Sequence, residues 1–186
     1  MNVIISHGSF GKPHENWFPW LEAMLDNAGV TCIIPTFPTP KFQNYAEWKK
    51  VLDLYYGFEL ITDDTVFIGH SCGAIFLAKY IIEKKINATA FLSVAGYNNF
   101  ASGDELMDNL NASFYVNDDE LTQLSNLVNK RISFFSDNDP YIPQENLKKF
   151  AKLINAESVI IKNGGHINLT AGFDKFTDLL DKINKL

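Results

Sequence analysis

Short apolar runs rich in β-branched and aromatic residues recur at Val3 to Ser6, Val30 to Ile34, Thr65 to Ile68, Thr89 to Val94, Ile132 to Phe135 and Ser158 to Ile161. Each reads as a strand covered on both faces. Between them the apolar spacing turns helical over Trp17 to Ala28, Tyr45 to Tyr56, Cys72 to Lys84, Gln144 to Ile154 and Phe173 to Ile183. Alternating strand and helix predict right-handed crossovers, hence an α/β protein of three layers, doubly wound around a mainly parallel sheet.

Boundary signals agree with this pattern. Asn16 is placed to cap the helix that begins at Trp17, Pro19 is tolerated in its first turn, and Gly29 can end it. Pro35, Pro38 and Pro40 stiffen the loop after the second strand. The stretch from Tyr97 to Asn129 is the least regular, with scattered polar residues, Gly103 and only weakly amphipathic turns. It reads either as a small lid inserted over the strand ends or as a plain packed connection. No fixed-period repeat interrupts the chain, and its 186 residues suit a single domain spanning 1–186.

Composition narrows the functional classes. Apolar residues form 46% of the chain and charged residues 20%, which is ordinary globular usage. Sixteen Lys and Arg against 22 Asp and Glu leave a net charge of −6. That balance disfavours a nucleic-acid partner, because phosphate binding needs a basic face. Cys32 and Cys72 form neither a disulfide framework nor a metal cluster, and read as reduced thiols in a cytoplasmic protein. The opening Met1-Asn2-Val3-Ile4-Ile5 passes straight into strand-like sequence, so neither a signal peptide nor a membrane span is expected.

Candidate chemistry centres on Ser71. The run Thr65-Val66-Phe67-Ile68 leads into Gly69-His70-Ser71-Cys72-Gly73, and a helical pattern starts at once with Ala74-Ile75-Phe76-Leu77-Ala78. A bare G-x-S-x-G is a weak signal, but strand and helix flanks make it the signature of a nucleophile elbow. The glycines leave room for a very tight turn, which would lift the Ser71 hydroxyl to a helix N-terminus.

A serine hydroxyl needs a base within hydrogen-bond reach, itself held by a carboxylate. After such an elbow the partners follow in the order Asp or Glu, then His. Of His7, His14, His70 and His166, only His166 lies far enough beyond Ser71, in Asn163-Gly164-Gly165-His166 after the last strand. For the acid, Ser136-Asp137-Asn138-Asp139-Pro140 follows the fifth strand. Asp139 is favoured because Pro140 biases its backbone to extended angles, whereas Asp137 can satisfy turn amides. An oxyanion would be held by the amide of Cys72 and by one from the loop His7-Gly8-Ser9-Phe10-Gly11, with Ser9 preferred to Phe10. His7 is expected to hydrogen-bond within its loop and His70 to pack beside the elbow.

With these residues in place the chain resembles the small serine hydrolases of the YdeN and retinoblastoma-binding protein 9 group, within the α/β-hydrolase superfamily. The likeness rests on His7-Gly8, Asn16-Trp17-Phe18-Pro19-Trp20-Leu21, the elbow, Asp137-Asn138-Asp139-Pro140, Pro143 and Gly164-Gly165-His166. It implies a compact six-stranded parallel sheet without the antiparallel first hairpin of larger relatives. It also implies a triad of Ser71, Asp139 and His166, the residues derived above. The reaction expected of these residues is esterase-like acyl transfer to water from a small-molecule acyl substrate, an ester, thioester or amide, with no metal or organic cofactor. Cys72 departs from the small residue or leucine often found after the nucleophile.

Aromatic residues near loops, including Phe10, Phe37, Tyr97, Phe114 and Tyr141, suggest an apolar pocket, with Phe10, Tyr97 and Tyr141 as substrate contacts. Trp17 and Trp20 either line that pocket or pack helix against sheet. Two rival functions share the scaffold: a binding protein that docks a partner protein with little turnover, and an acyltransferase using an alcohol or thiol in place of water.

Overall fold

A computed structural model describes residues 1–186. The strands are β1 (Asn2–Ser6), β2 (Thr31–Ile33), β3 (Thr65–His70), β4 (Ala88–Val94), β5 (Val128–Ser136) and β6 (Glu157–Ile161). The principal helices are α1 (Phe18–Asn27), α2 (Tyr45–Gly57), α3 (Cys72–Lys84), α7 (Gln144–Leu153) and α8 (Thr177–Ile183). Between β4 and β5 lie three short ones, α4 (Glu105–Asn111), α5 (Asp118–Thr122) and α6 (Leu124–Leu127). All six strands form one sheet in the order β2-β1-β3-β4-β5-β6, and every pairing is parallel. The α/β architecture expected from the strand and helix alternation is therefore present.

Strand periodicity sorts the core into two halves. Val3, Ile5, Val66, Ile68, Leu92 and Val94 point to the side covered by α1 and α8. Ile4, Phe67 and Phe91 point to the other side, under α2, α3 and α7. α3 packs against the centre of the sheet and is buried along most of its length. No helix is long and apolar enough to cross a membrane.

Three expectations need correction. The outer strands β2 and β6 are not covered on both faces: Thr31, Glu157, Ser158 and Ile160 are exposed, because a sheet margin has a neighbour on one side only. Glu157 on this margin pairs with Lys130 and Lys182, and charge of this kind discourages edge-to-edge association. Asn16 does not cap α1. The N-cap position is Trp17, with no side-chain cap bond, and Asn16 Oδ1 instead accepts from the Leu169 N–H at 2.9 Å. Finally, β5 begins four residues earlier than its apolar run, because Val128, Lys130 and Arg131 already pair with β4 although Lys130 is exposed.

Gly29 does end α1, at φ +74°, with the Val30 N–H bonded back to the Leu25 carbonyl.

Candidate active site

Ser71 joins β3 to α3 at φ 56°, ψ −127°, a backbone conformation that costs a non-glycine residue about 1–3 kcal/mol. Its N–H bonds to the Val94 carbonyl at 2.8 Å, which continues the sheet ladder through the turn. The flanking glycines are required sterically. A Cβ at Gly69 would stand 2.4 Å from the Ala74 Cα, and one at Gly73 would stand 2.4 Å from the His7 carbonyl oxygen. Ser71→Gly should therefore relieve the strain and raise stability by about 1 kcal/mol after the added unfolded-state entropy is offset, whereas Ser71→Ala keeps a Cβ and the strain. Urea denaturation of both variants checks this; equal midpoints would count against a strained elbow.

His166 follows β6. Its Nδ1–H donates to Asp139 Oδ2 at 2.7 Å, and the Asp139 side chain is fully enclosed. The other carboxylate oxygen, Oδ1, accepts from the N–H groups of Tyr141 and Ile142 at 2.9 and 3.0 Å. Because a carboxylate only accepts, this contact puts the ring proton on Nδ1 and leaves Nε2 with a free lone pair. Asp137 does not reach the imidazole; its Oδ1 accepts from the Asn163 N–H at 2.7 Å. Ser71 and His166 line one cavity of about 670 Å³. No hydrogen bond joins their side chains in this structure, a separation common before substrate binds.

Two side chains hold the backbone at His166. His70, adjacent to Ser71, donates from Nε2 to the His166 carbonyl at 2.9 Å. Trp17 donates from its indole N–H to the Ile167 carbonyl at 3.1 Å. Ile167 adopts φ 49°, an outlier for a β-branched residue, and these bonds over-determine it. Burial, followed by the nearby His166 ring, pushes the His70 imidazole down to about 3, so it stays neutral. Trp17 is expected from sequence either in the core or on the pocket wall. Its burial against Phe18 and Phe176 fits the core, and its bond to a carbonyl 150 residues away had no local signal. Trp20 also packs on the helix–sheet interface.

The oxyanion candidates separate by hydrogen bonding. Cys72 opens α3, where first-turn N–H groups have no helical carbonyl to bind. The Phe10 N–H is taken by Thr39 Oγ1 at 2.8 Å, while no internal hydrogen bond occupies the Ser9 N–H. His7 donates within its own loop to the Gly8 carbonyl and accepts from the Phe37 N–H of the loop after β2.

Phe10, Tyr97 and Tyr141 all line the cavity, and the Tyr141 ring meets His166 edge-on at 5.1 Å. Phe37 and Phe114 do not line this cavity; they pack around Trp48 in the core. Nor is the pocket simply apolar, since Glu15, Asp104 and Asp108 also line it. Loop aromatics alone could not reveal these carboxylates, which come from the segment before α1 and from the irregular stretch after β4.

Comparison with known proteins gives the arrangement a context. The serine hydrolase RBBP9 of Rattus norvegicus is 25% identical over 171 residues, spanning 90% of this chain and 87% of that protein. The ydeN gene product of B. subtilis superposes with a TM-score of 0.86 at 22% identity, covering 99% of this chain and 97% of that one. Est1E from Butyrivibrio proteoclasticus, solved with ferulic acid, has the same fold at a TM-score of 0.69 and 15% identity, covering 98% of this chain and 89% of its own. The sequence profile of the family described as serine hydrolase matches residues 3–185, and the chain belongs to that family.

Proposed function

We propose that this serine hydrolase cleaves a small ester, thioester or amide through an acyl-enzyme intermediate carried by Ser71. The observation that carries the reading is the 2.7 Å bond from His166 Nδ1 to Asp139, which frees Nε2 in a cavity shared with a strained, outward-turned Ser71. His166 Nε2 takes the hydroxyl proton as Ser71 Oγ attacks the carbonyl carbon. The amides of Ser9 and Cys72 hold the oxyanion, and the loss of one such donor typically costs about 3 kcal/mol in the barrier. His166 then gives the proton to the leaving group. Water, deprotonated by the same nitrogen, releases the acid and restores Ser71. Asp139 keeps the proton on Nδ1 throughout, and no cofactor is needed.

Phe10, Tyr97 and Tyr141 supply the substrate wall in this reading. The stretch 97–129 forms a small insertion over the strand ends of a single domain. Two free cysteines fit a cytoplasmic setting. Fluorophosphonate labelling tests the proposal: wild type should take up one label at Ser71, located by peptide mass, and Ser71→Ala none. A folded wild type that stays unlabelled would instead favour a docking protein on a hydrolase scaffold.

A further inference from the structure

The amide of Asn111 carries an inference that rests on the hydrolase reading. Asn111 is the one buried residue of α4, a helix otherwise exposed or half-buried. A polar side chain in such a position calls for a reason, since burying an unbonded amide is costly. Part of the reason is a chain of hydrogen bonds whose directions agree. The Phe10 N–H donates to Thr39 Oγ1, and the Thr39 hydroxyl donates to Gln43 Oε1. Gln43 Nε2 donates to Ser9 Oγ at 2.8 Å and to Asn111 Oδ1 at 2.9 Å. The Ser9 hydroxyl donates to the same Asn111 oxygen at 2.7 Å.

Asn111 Oδ1 thus accepts twice, which fixes the orientation of the side-chain amide. Its Nδ2 has two hydrogens to donate and no hydrogen bond within the chain. No side-chain nitrogen or oxygen in the protein is both sealed from solvent and unpaired. An unpaired Nδ2 on a residue only 3% exposed therefore opens onto the cavity that Asn111 lines together with Ser71.

We propose that Asn111 is a specificity-determining residue whose Nδ2 donates a hydrogen bond to an oxygen acceptor on the acyl part of the substrate, beyond the scissile carbonyl. The acyl side follows from the proton's path. The leaving group must lie over His166, which protonates it, and Tyr141 marks that side. Asn111 is anchored to the oxyanion loop at Ser9 instead. The substrate class is an acyl chain carrying an ether, hydroxyl or carbonyl oxygen, which a purely hydrocarbon acyl group lacks. A site built to hydrogen-bond a substrate group discriminates against the analogue without it, because the site's own polar group is then left unpaired.

The test is an oxygen walk. p-Nitrophenyl hexanoate is compared with its oxa-analogues, in which an ether oxygen replaces one methylene at successive positions, and each kcat/KM is divided by the hydroxide-catalysed rate. Wild type should show a peak at one position, about five- to tenfold above hexanoate. Asn111→Asp keeps the acceptor that Ser9 and Gln43 use and removes both donor hydrogens, so the peak should vanish, as it should in Asn111→Leu. A flat profile in wild type overturns the proposal. So does a peak that survives in Asn111→Asp and disappears only in Asn111→Leu, which would mean that Asn111 acts through Ser9. Fluorophosphonate titration of the same preparations separates the two readings: a labelled wild type with a flat profile removes this proposal alone, whereas an unlabelled one removes the hydrolase reading and this proposal with it.

Discussion

Changing Asp139 to asparagine is expected to lower turnover about 10⁴-fold, while Asp137→Asn leaves it nearly unchanged. The two aspartates lie two residues apart on one loop, yet their surroundings differ. Asp139 is enclosed and accepts the His166 Nδ1–H. Asparagine fits the same space, but its amide can donate to Nδ1 and so stabilise the tautomer whose Nε2 is protonated and unable to act as a base. Asp137 is exposed and offers one oxygen to the Asn163 N–H, a bond that an asparagine carbonyl retains. Turnover of an activated ester by the two variants decides the matter, with circular dichroism to establish that both fold. Equal losses would mean that the acid has been assigned to the wrong residue.

Acid should destabilise the fold through His70. An unfolded chain protonates this histidine below about pH 6.5, whereas the folded protein resists until about 3 because the ring is buried beside His166. The unfolded state therefore binds more protons between these limits. The stability is fully present above pH 6.5 and is lost as pH falls, at about 1.4 kcal/mol per unit. The loss from His70 alone reaches roughly 2 kcal/mol at pH 5. His7, lowered mainly by burial against a smaller opposing effect of the Gly8 carbonyl, acts in the same direction. Urea denaturation at pH 7 and pH 5 should show a larger loss in wild type than in His70→Gln, whose amide can still donate to the His166 carbonyl. Parallel losses would mean that the ring is not kept neutral by the fold.

Much of this architecture was legible because the signals were local. The strand, Gly69 to Gly73 and the apolar helix behind them lie in one continuous stretch, so the turn at Ser71 could be read from order and sterics alone. α3 runs over the same residues as its apolar periodicity. What escaped is what depends on distant partners. Asn16 looks like a helix cap in sequence, but Leu169, reached only after folding, claims its side chain. His70 gave no sign that it would hold the carbonyl of His166, 96 residues on. The stretch 97–129 is the hardest to read, because its helices are short and most of their residues are only half-buried or exposed. In sequence Asn111 is one polar residue among many in that stretch, and only the positions of Ser9 and Gln43 single it out.

The pairing of β5 with the outer strand β6 has a mechanical consequence. The loops after these neighbouring strands are stitched together by the Asn163 N–H on Asp137 and the Gly165 N–H on Asn138, in addition to the contact between Asp139 and His166. Thermal breathing of this outer border should therefore carry both loops as one body and preserve the geometry between imidazole and carboxylate. Such drift would vary the reach from the ring to the Ser71 hydroxyl beside the buried centre of the sheet, so in the proposed mechanism it would change how often attack geometry is attained and leave the tautomer unchanged.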